Sequence, residues 1–97
     1  MDKQMETHRV WEGNWDGDGA YKAVEFVGEK IGECADNDGV RGLIYRVYRT
    51  GRGILIHIHD WSKVPGEGDC ASIFEYSDLD EAARCGFRQV LEKIRII

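Results

Sequence analysis

The sequence predicts an α+β domain: an antiparallel β-meander of four to five strands with one C-terminal α-helix packed on one face. Two patterns predict this class. Between Leu43 and Trp61, two runs rich in β-branched and aromatic residues flank a Gly-containing break, which is typical of a β-hairpin. Between Leu79 and Ile94, apolar residues instead recur at the spacing of an amphipathic helix. A helix stripe and an apolar sheet face bury each other in a two-layer domain.

The composition indicates one small folded domain. The 97 residues are 42% hydrophobic and include one proline, which is typical of an ordered chain. No apolar run reaches about 18 residues, so we expect no membrane span, and the N-terminus lacks the apolar core of a signal peptide. The three cysteines are odd in number and lack CxxC spacing, which indicates reduced thiols in a cytoplasmic protein.

Residues 1–20 are predicted to form an N-terminal arm, and residues 21–97 the α+β domain. The arm is polar and rich in glycine. Trp11 and Trp15 nevertheless indicate that part of it packs down, since exposed pairs of tryptophan are uncommon. A short strand around Arg9–Glu12 is compatible with its sequence.

Residues 21–34 fit two patterns. Helical spacing would align the apolar residues, whereas the alternation between Val27 and Glu33 suits a strand. Gly28 and Gly32 would each cost a helix about 1 kcal/mol relative to alanine. We therefore predict a strand with a bend or bulge at the glycines, followed by a turn at Asp36–Gly39.

The hairpin restricts its own register. With a loop of two or four residues centred on Gly51 and Arg52, Val47 lies opposite Ile56, and a slip of one residue would mix two distinct faces. We expect the aliphatic face to form the core: Leu43, Tyr45, Val47, Ile54, Ile56 and Ile58. The second face is solvated, covered by the N-terminal arm or pressed against another subunit. It carries Ile44, Arg46, Tyr48, Leu55, His57 and His59.

A loop, a short strand and the helix follow the hairpin. Pro65 lacks a backbone donor and lies among glycines, which predicts a loop, and Ala71–Tyr76 is predicted as the fourth strand. Ser77 is expected to cap the helix, with acidic residues at its positive end. The apolar stripe of the helix comprises Leu79, Ala83, Phe87, Val90, Leu91 and Ile94.

The net charge of −5 conceals a basic hairpin. Residues 1–40 carry a balance of −6, residues 41–63 a balance of +4, and residues 64–97 a balance of −3. The local excess of cations favours an acidic partner at the hairpin, or attraction between the hairpin and its own acidic flanks. The basic residues are Arg41, Arg46, Arg49, Arg52 and Lys63.

A binding surface is predicted on the second face of the hairpin, at Arg46, Tyr48, His57, His59 and Trp61. Cations beside aromatic rings suit single-stranded nucleic acid. The acidic chain lacks a lysine and arginine cluster, however, so we expect a protein partner or a second copy. The chain also lacks a GxSxG, P-loop or Rossmann motif. We therefore expect a non-enzymatic interaction module that uses no cofactor, with a homodimer as one form of the interaction.

Divalent metal binding is the alternative function, at either of two places. His57 and His59 project from the same strand face and can chelate Zn, Ni or Cu, although a zinc site needs three or four ligands. The second place is a loop that fits EF-hand spacing around Gly19. Lys22 and the lack of flanking helices favour an ordinary turn-rich loop there. Its oxygen ligands would be Asn14, Asp16, Asp18 and Glu25.

Several motifs resemble those of a loose class of small prokaryotic proteins of unknown function. They are Ile44–His57, Asp60–Ser62, Pro65–Asp69 and Asp80–Ala83, which resemble the "YRT..G..IL" hairpin, the "W....GE.D" loop and the acidic-Ala helix start of that class. The resemblance covers residues 24–94. It implies a sheet with a C-terminal helix and no catalytic residues, and it includes neither the pair of histidines nor the Trp-bearing arm.

Overall fold

The computed structural model describes residues 5–14 and 21–97 and shows five antiparallel strands followed by one helix. The predicted α+β class is confirmed. The strands are β1 (Glu6–Asn14), β2 (Tyr21–Asn37), β3 (Arg41–Thr50), β4 (Gly53–Ser62) and β5 (Cys70–Tyr76). The helix of 15 residues comprises α1 (Leu79–Ala82), a kinked turn (Ala83–Phe87) in which Cys85 and Gly86 depart from helical dihedral angles, and α2 (Arg88–Lys93).

The hairpin of β3 and β4 has the predicted register. Thr50 lies opposite Gly53, so the loop contains only Gly51 and Arg52. Val47 lies opposite Ile56, as the alternation of the two faces requires.

Residues 21–34 form a strand, as predicted, within the longer β2. The register against β3 shifts between Lys30 and Gly32, which places a bulge at Ile31. Ile31 packs against the core cluster. Gly32 leaves room for the helix, because a Cβ at this position would lie 2.4 Å from the Cδ1 atom of Ile94.

β1 belongs to the sheet, although the sequence predicts an N-terminal arm over residues 1–20. It pairs with β2 from Glu6 to Gly13 and includes the short strand predicted at Arg9–Glu12. Its end also pairs with β5, at Gly13–Ala71 and Asn14–Cys70, which closes the sheet into a barrel. Within the described ranges, no helix has the length and apolar character needed to cross a membrane.

The main core lies between the helix and the aliphatic face of the hairpin. Val47, Ile56 and Leu91 have no exposed surface, and burying an aliphatic side chain of this size contributes about 1.5–3 kcal/mol. The surrounding members of the cluster are Ile54, Ala82, Ala83 and Phe87. The predicted packing of helix stripe on sheet face is therefore confirmed.

The start and the middle of the helix depart from a regular pattern. Asp78, not the predicted Ser77, is the N-cap, since its carboxylate accepts a hydrogen bond from the Glu81 amide at 2.8 Å. Ser77 instead donates its amide and hydroxyl hydrogens to the Glu81 carboxylate. In the middle, Gly86 has a φ of 112° and interrupts the helix, a conformation that favours glycine.

Candidate functional site

The second face of the hairpin is enclosed, so the expectation that it is an exposed binding surface is wrong for its central residues. Tyr48 is 4% exposed and His57 is 2% exposed. The cover is β1: its His8 ring lies 4.8 Å from the Tyr48 ring between centroids, and its Trp11 carbonyl accepts a hydrogen bond from His57. The Trp-bearing N-terminal segment is thus a cover of this face, one of the three expected alternatives.

His57 is held as a neutral imidazole in the barrel. Its Nε2–H donates to the Trp11 carbonyl oxygen at 2.8 Å. Its Nδ1 is buried and has no hydrogen-bond partner among the described residues, so a proton added there would lack an acceptor. Burial lowers the pKa of His57, and the nearby Arg46 guanidinium lowers the pKa further. The hydrogen bond to Trp11 opposes this shift but does not reverse it. His57 therefore contributes to the docking of β1.

Arg46 and His59 lie in more open positions and are engaged with acidic side chains. The Arg46 Nε lies 3.6 Å from the Glu33 carboxylate on β2. The His59 Nε2 lies 2.9 Å from the Asp69 carboxylate, whose other oxygen accepts from the Ser62 amide. Both contacts join the hairpin to neighbouring parts of its own chain.

Trp61 lies on the same side of β4 as His57 and His59 and packs against the neighbouring strand β3. It lies over Gly42, where a Cβ would come within 2.6 Å of the indole ring. The ammonium of Lys63 lies 5.9 Å from the ring centroid, a cation–π distance. The structure therefore separates the five predicted residues into buried and half-buried groups.

A zinc site at His57 and His59 would need at least one further protein ligand besides these two histidines. Across residues 5–14 and 21–97, no group of three or more His, Cys, Asp and Glu side chains is placed to hold a metal ion. The Nε2 atoms of both histidines already have the protein partners described above.

The predicted EF-hand loop lies largely outside the described residues, since Asp16, Asp18 and Gly19 belong to the part that the structure does not describe. Its two ends are described: Asn14 ends β1, and Glu25 lies within β2. Glu25 is 3.9 Å from Arg9 across the strand pair. The segments that flank the loop are therefore strands, whereas an EF-hand loop joins two helices.

The positive charge of the hairpin is offset within the chain at three arginines. The ion pairs are Arg41–Glu67 at 2.6 Å, Arg46–Glu33 at 3.6 Å and Arg52–Glu75 at 3.2 Å. Attraction between the hairpin and its acidic flanks, one of the two expected interpretations, accounts for these contacts.

The Arg41–Glu67 pair joins the loop between β4 and β5 to the start of β3. The guanidinium donates two hydrogen bonds to the carboxylate, through Nε and Nη2. These bonds, together with a hydrogen bond from the Ser62 hydroxyl, lower the pKa of Glu67 to about 2.

Beyond two residue pairs, the described parts of β1 and β5 form no further pairs with each other, and a single hydrogen bond shows which backbone groups of β5 lie on this edge. The Lys63 amide donates to the Val40 carbonyl at 2.8 Å, so these two residues form a hydrogen-bonded pair of the antiparallel hairpin. Such pairs alternate with non-hydrogen-bonded pairs. The alternation continues unbroken along the hairpin, so the backbone groups of Ile54, Ile56, Ile58 and Asp60 point away from β3 and toward β5.

The same alternation assigns the two edges of β5. Its hydrogen bonds to β4 come from the partners of those four residues, which are Tyr76, Phe74, Ser72 and Cys70. The N–H and C=O groups of Ala71, Ile73 and Glu75 consequently point outward. Ala71 pairs with Gly13 of β1. Ile73 and Glu75 have no strand partner on this side among the described residues.

A cavity of about 720 Å³ runs beside this open edge. It is lined on one side by residues 70–74 of β5, and on the other by Glu12–Asn14 with Tyr21 and Lys22. Phe74 is 40% exposed beside it, although its ring also packs against Phe87 at 5.6 Å between centroids. Sequence reasoning missed this edge, because the alternation within Ala71–Tyr76 identifies a strand but not which of its sides is paired.

Comparison with family models, with curated proteins and with solved structures found no match to the chain.

Proposed function

We propose that the protein is a small, non-enzymatic interaction module that binds an extended polypeptide segment along the outer edge of β5. The observation that carries this proposal is the uneven pairing of β5. Its inner edge is paired with β4 from Cys70 to Tyr76, whereas within residues 5–14 and 21–97 its outer edge is paired only at Cys70 and Ala71, with β1. Unpaired strand edges are templates for a further strand.

Three features of β5 support this kind of binding. The outward amide and carbonyl groups of Ile73 and Glu75 offer main-chain hydrogen bonds, which provide affinity in strand addition. The exposed ring of Phe74 provides apolar contact on the helix side. The one charged residue of the segment, Glu75, lies 3.2 Å from Arg52, so an approaching strand does not meet an isolated charge.

The compartment that we propose is the cytoplasm. Cys34, Cys70 and Cys85 are all free thiols in the structure, and free thiols are typical of a reducing environment. The Nε2 atoms of His57 and His59 bind Trp11 and Asp69 within the chain, so their contacts do not favour a metal site there.

Proline at position 75 tests the binding edge. Glu75→Pro removes an outward N–H and leaves the hydrogen bonds to β4 intact, and strands tolerate proline at an edge whose N–H faces solvent. Glu75→Ala is the matched control, because it removes the same carboxylate and keeps the N–H. The probe is a soluble heptapeptide of alternating threonine and valine.

The readout is the set of backbone amide shifts of the ¹⁵N-labelled full chain on addition of this peptide. We expect shifts at Ile73 and Glu75 in the wild type, retained shifts at Ile73 in Glu75→Ala, and none in Glu75→Pro. Peptide-induced shifts that are confined to another part of the sheet, or are identical in all three proteins, would contradict the proposal.

A further inference from the structure

All three histidines of the chain lie where β1 covers the hairpin. His8 is on β1 itself, and its ring lies 4.8 Å from that of Tyr48 between centroids. The His57 Nε2–H donates to the Trp11 carbonyl of β1 at 2.8 Å. The His59 ring lies 5.2 Å from the Trp11 ring between centroids. The residue type that titrates near neutral pH is therefore concentrated at the contact made by one strand.

That strand is held against β5 by two residue pairs within the described ranges, one of which joins Gly13 to Ala71. This pair occupies the outward backbone groups of Ala71, at the start of the outer edge of β5. The hydrogen bond from His57 to Trp11 lies two residues from Gly13 along β1. We propose that acid releases β1 from β5 through His57, and so lengthens the edge of β5 that binds an extended segment.

The binding step of this inference rests on the proposed function, whereas the release of β1 is independent of it. With β1 paired, the outward N–H and C=O groups without a strand partner among the described residues belong to Ile73 and Glu75. Release adds those of Ala71, so the edge grows from two outward residues to three. Strand addition derives its affinity from main-chain hydrogen bonds, so the longer edge binds an extended peptide more tightly.

A proton on His57 is incompatible with its covered position. The side chain is 2% exposed, and its Nε2–H already donates to Trp11. Its buried Nδ1 has no hydrogen-bond partner among the described residues. A protonated ring would carry a second N–H at Nδ1 with no acceptor, whereas a ring opened to solvent can donate both N–H groups to water. Protonation therefore favours the arrangement in which β1 has moved away.

The titratable groups that face His57 come from the three strands packed around it. Burial is the main cause that lowers the pKa of His57, and Arg46 on β3 and His59 on β4 lower it further. The hydrogen bond to β1 and the Glu12 carboxylate of β1 act in the opposite direction without reversing the shift.

β2 and β5 add no free charge beside the ring among the described residues. β5 places the apolar Ile73 opposite His57. The Glu33 carboxylate of β2 lies 3.6 Å from Arg46, and the Lys22 ammonium of β2 lies 3.6 Å from Glu12. The charged neighbours of the ring are thus partnered with other side chains, and burial decides the outcome.

Hydrogen exchange of the full chain tests the release of β1. The readout is the protection factor of the Ala71 amide, compared with that of Val47 in the core. Between pH 7.5 and pH 5.5 the Ala71 value should fall by up to about tenfold, because an opened ring with the ordinary pKa of 6.5 becomes protonated and the covered ring does not. It should stay below the Val47 value at both pH values, as exchange through local opening requires. Equal protection of the two amides, or an Ala71 value that does not change with pH, would overturn the release.

Two glutamine variants separate His57 from its neighbour on β4. Glutamine at position 57 keeps a side-chain N–H for the Trp11 carbonyl and does not titrate in this range. His59→Gln is the matched control, because it removes the other histidine of the strand and leaves His57 in place. The fall at Ala71 should persist in His59→Gln and disappear in His57→Gln. A fall that persists in His57→Gln, or that only His59→Gln removes, would overturn the role of His57.

The threonine–valine heptapeptide tests the binding step. It should bind the ¹⁵N-labelled wild type more tightly at pH 5.5 than at pH 7.5, with amide shifts that extend from Ile73 and Glu75 to Ala71. In His57→Gln the affinity should be the same at both pH values. If acid lowers the Ala71 protection but the peptide shifts no amide of β5, the proposed function and the binding step are wrong and the release of β1 stands. If the peptide binds β5 equally at both pH values, the inference is wrong and the proposed function stands.

Discussion

Replacing Gly53 by alanine should severely destabilise the protein, whereas the same change two residues earlier should not. Gly53 has a φ of 137°, and a Cβ there would lie 2.3 Å from the Tyr76 carbonyl oxygen and 2.7 Å from that of Ser77. These obstacles are backbone atoms at the junction of β5 and the helix, so they cannot move aside as a flexible side chain does. Gly51 lacks a positive φ, and no atom lies within 4 Å of an added Cβ.

The magnitude follows from two costs. Holding a non-glycine residue in such a conformation costs roughly 1–3 kcal/mol. Moving the Tyr76 carbonyl away disturbs the last residue pair between β4 and β5, and a backbone hydrogen bond contributes about 0.5–1.5 kcal/mol net. Replacing glycine also lowers the conformational entropy of the unfolded chain, which stabilises the folded state by about 0.4–1 kcal/mol. These terms together give a loss of roughly 0.5–4 kcal/mol, centred near about 2, for Gly53→Ala, out of a total near 5–15 kcal/mol. We expect Gly51→Ala to be neutral or slightly stabilising.

Thermal unfolding followed by circular dichroism measures the difference directly. A loss of about 2 kcal/mol lowers the melting temperature of a domain of this size by about 8–16 °C. Urea titration of both variants supplies the free energies of unfolding, and an unchanged m-value shows that the unfolded states are comparable. Equal melting temperatures for Gly53→Ala and Gly51→Ala would refute the assignment of these contacts.

Three further predictions concern titration and the helix. The pKa of His57 is lowered in the folded state from its usual 6.5, so the unfolded chain binds a proton first as the pH falls. The stability that neutral His57 contributes should therefore be fully present above about pH 6.5 and be lost as the pH falls below it. Urea midpoints measured between pH 5 and 8 should show this decline in the wild type, and a smaller one in His57→Gln. For Glu67, carbon-detected NMR titration should find a carboxyl pKa of about 2, and Arg41→Gln should raise it, since the guanidinium is the main cause. Finally, Gly86→Ala should lower the free energy of unfolding by about 1–2 kcal/mol, because the helix needs a positive φ there; an unchanged thermal midpoint would show that the turn adapts.

The register of the hairpin was predictable because it depends on local alternation. One face of β3 and β4 is aliphatic and the other carries Arg46 and His57, so only one pairing keeps the two apart. The helix stripe was predictable for the same reason, since Leu79 to Ile94 repeats at helical spacing. Both patterns are visible within a single short window of the chain.

The environment of the second face was not predictable from such windows. His57 and Tyr48 read as surface residues, but β1 supplies a carbonyl acceptor and an aromatic neighbour from about 40 residues away in the chain. The open edge of β5 also depends on a long-range event, namely how far β1 pairs with it. The helix cap is Asp78 and not the predicted Ser77 for a local reason. The two residues are adjacent and both can cap a helix, but Ser77 donates its hydrogen bonds to the Glu81 carboxylate.

β1 is joined unequally to its two neighbouring strands, β2 and β5. β1 is joined to β2 by eight residue pairs and to β5 by two, so a swing of β1 about β2 breaks two pairs and keeps eight. Local openings of low free energy are populated far more often than global unfolding. This swing breaks the bond between Trp11 and His57 and brings Tyr48 to solvent, and acid favours it because an opened His57 can take up a proton. The face that the sequence presents as a surface is thus the face that a swing of β1 would uncover.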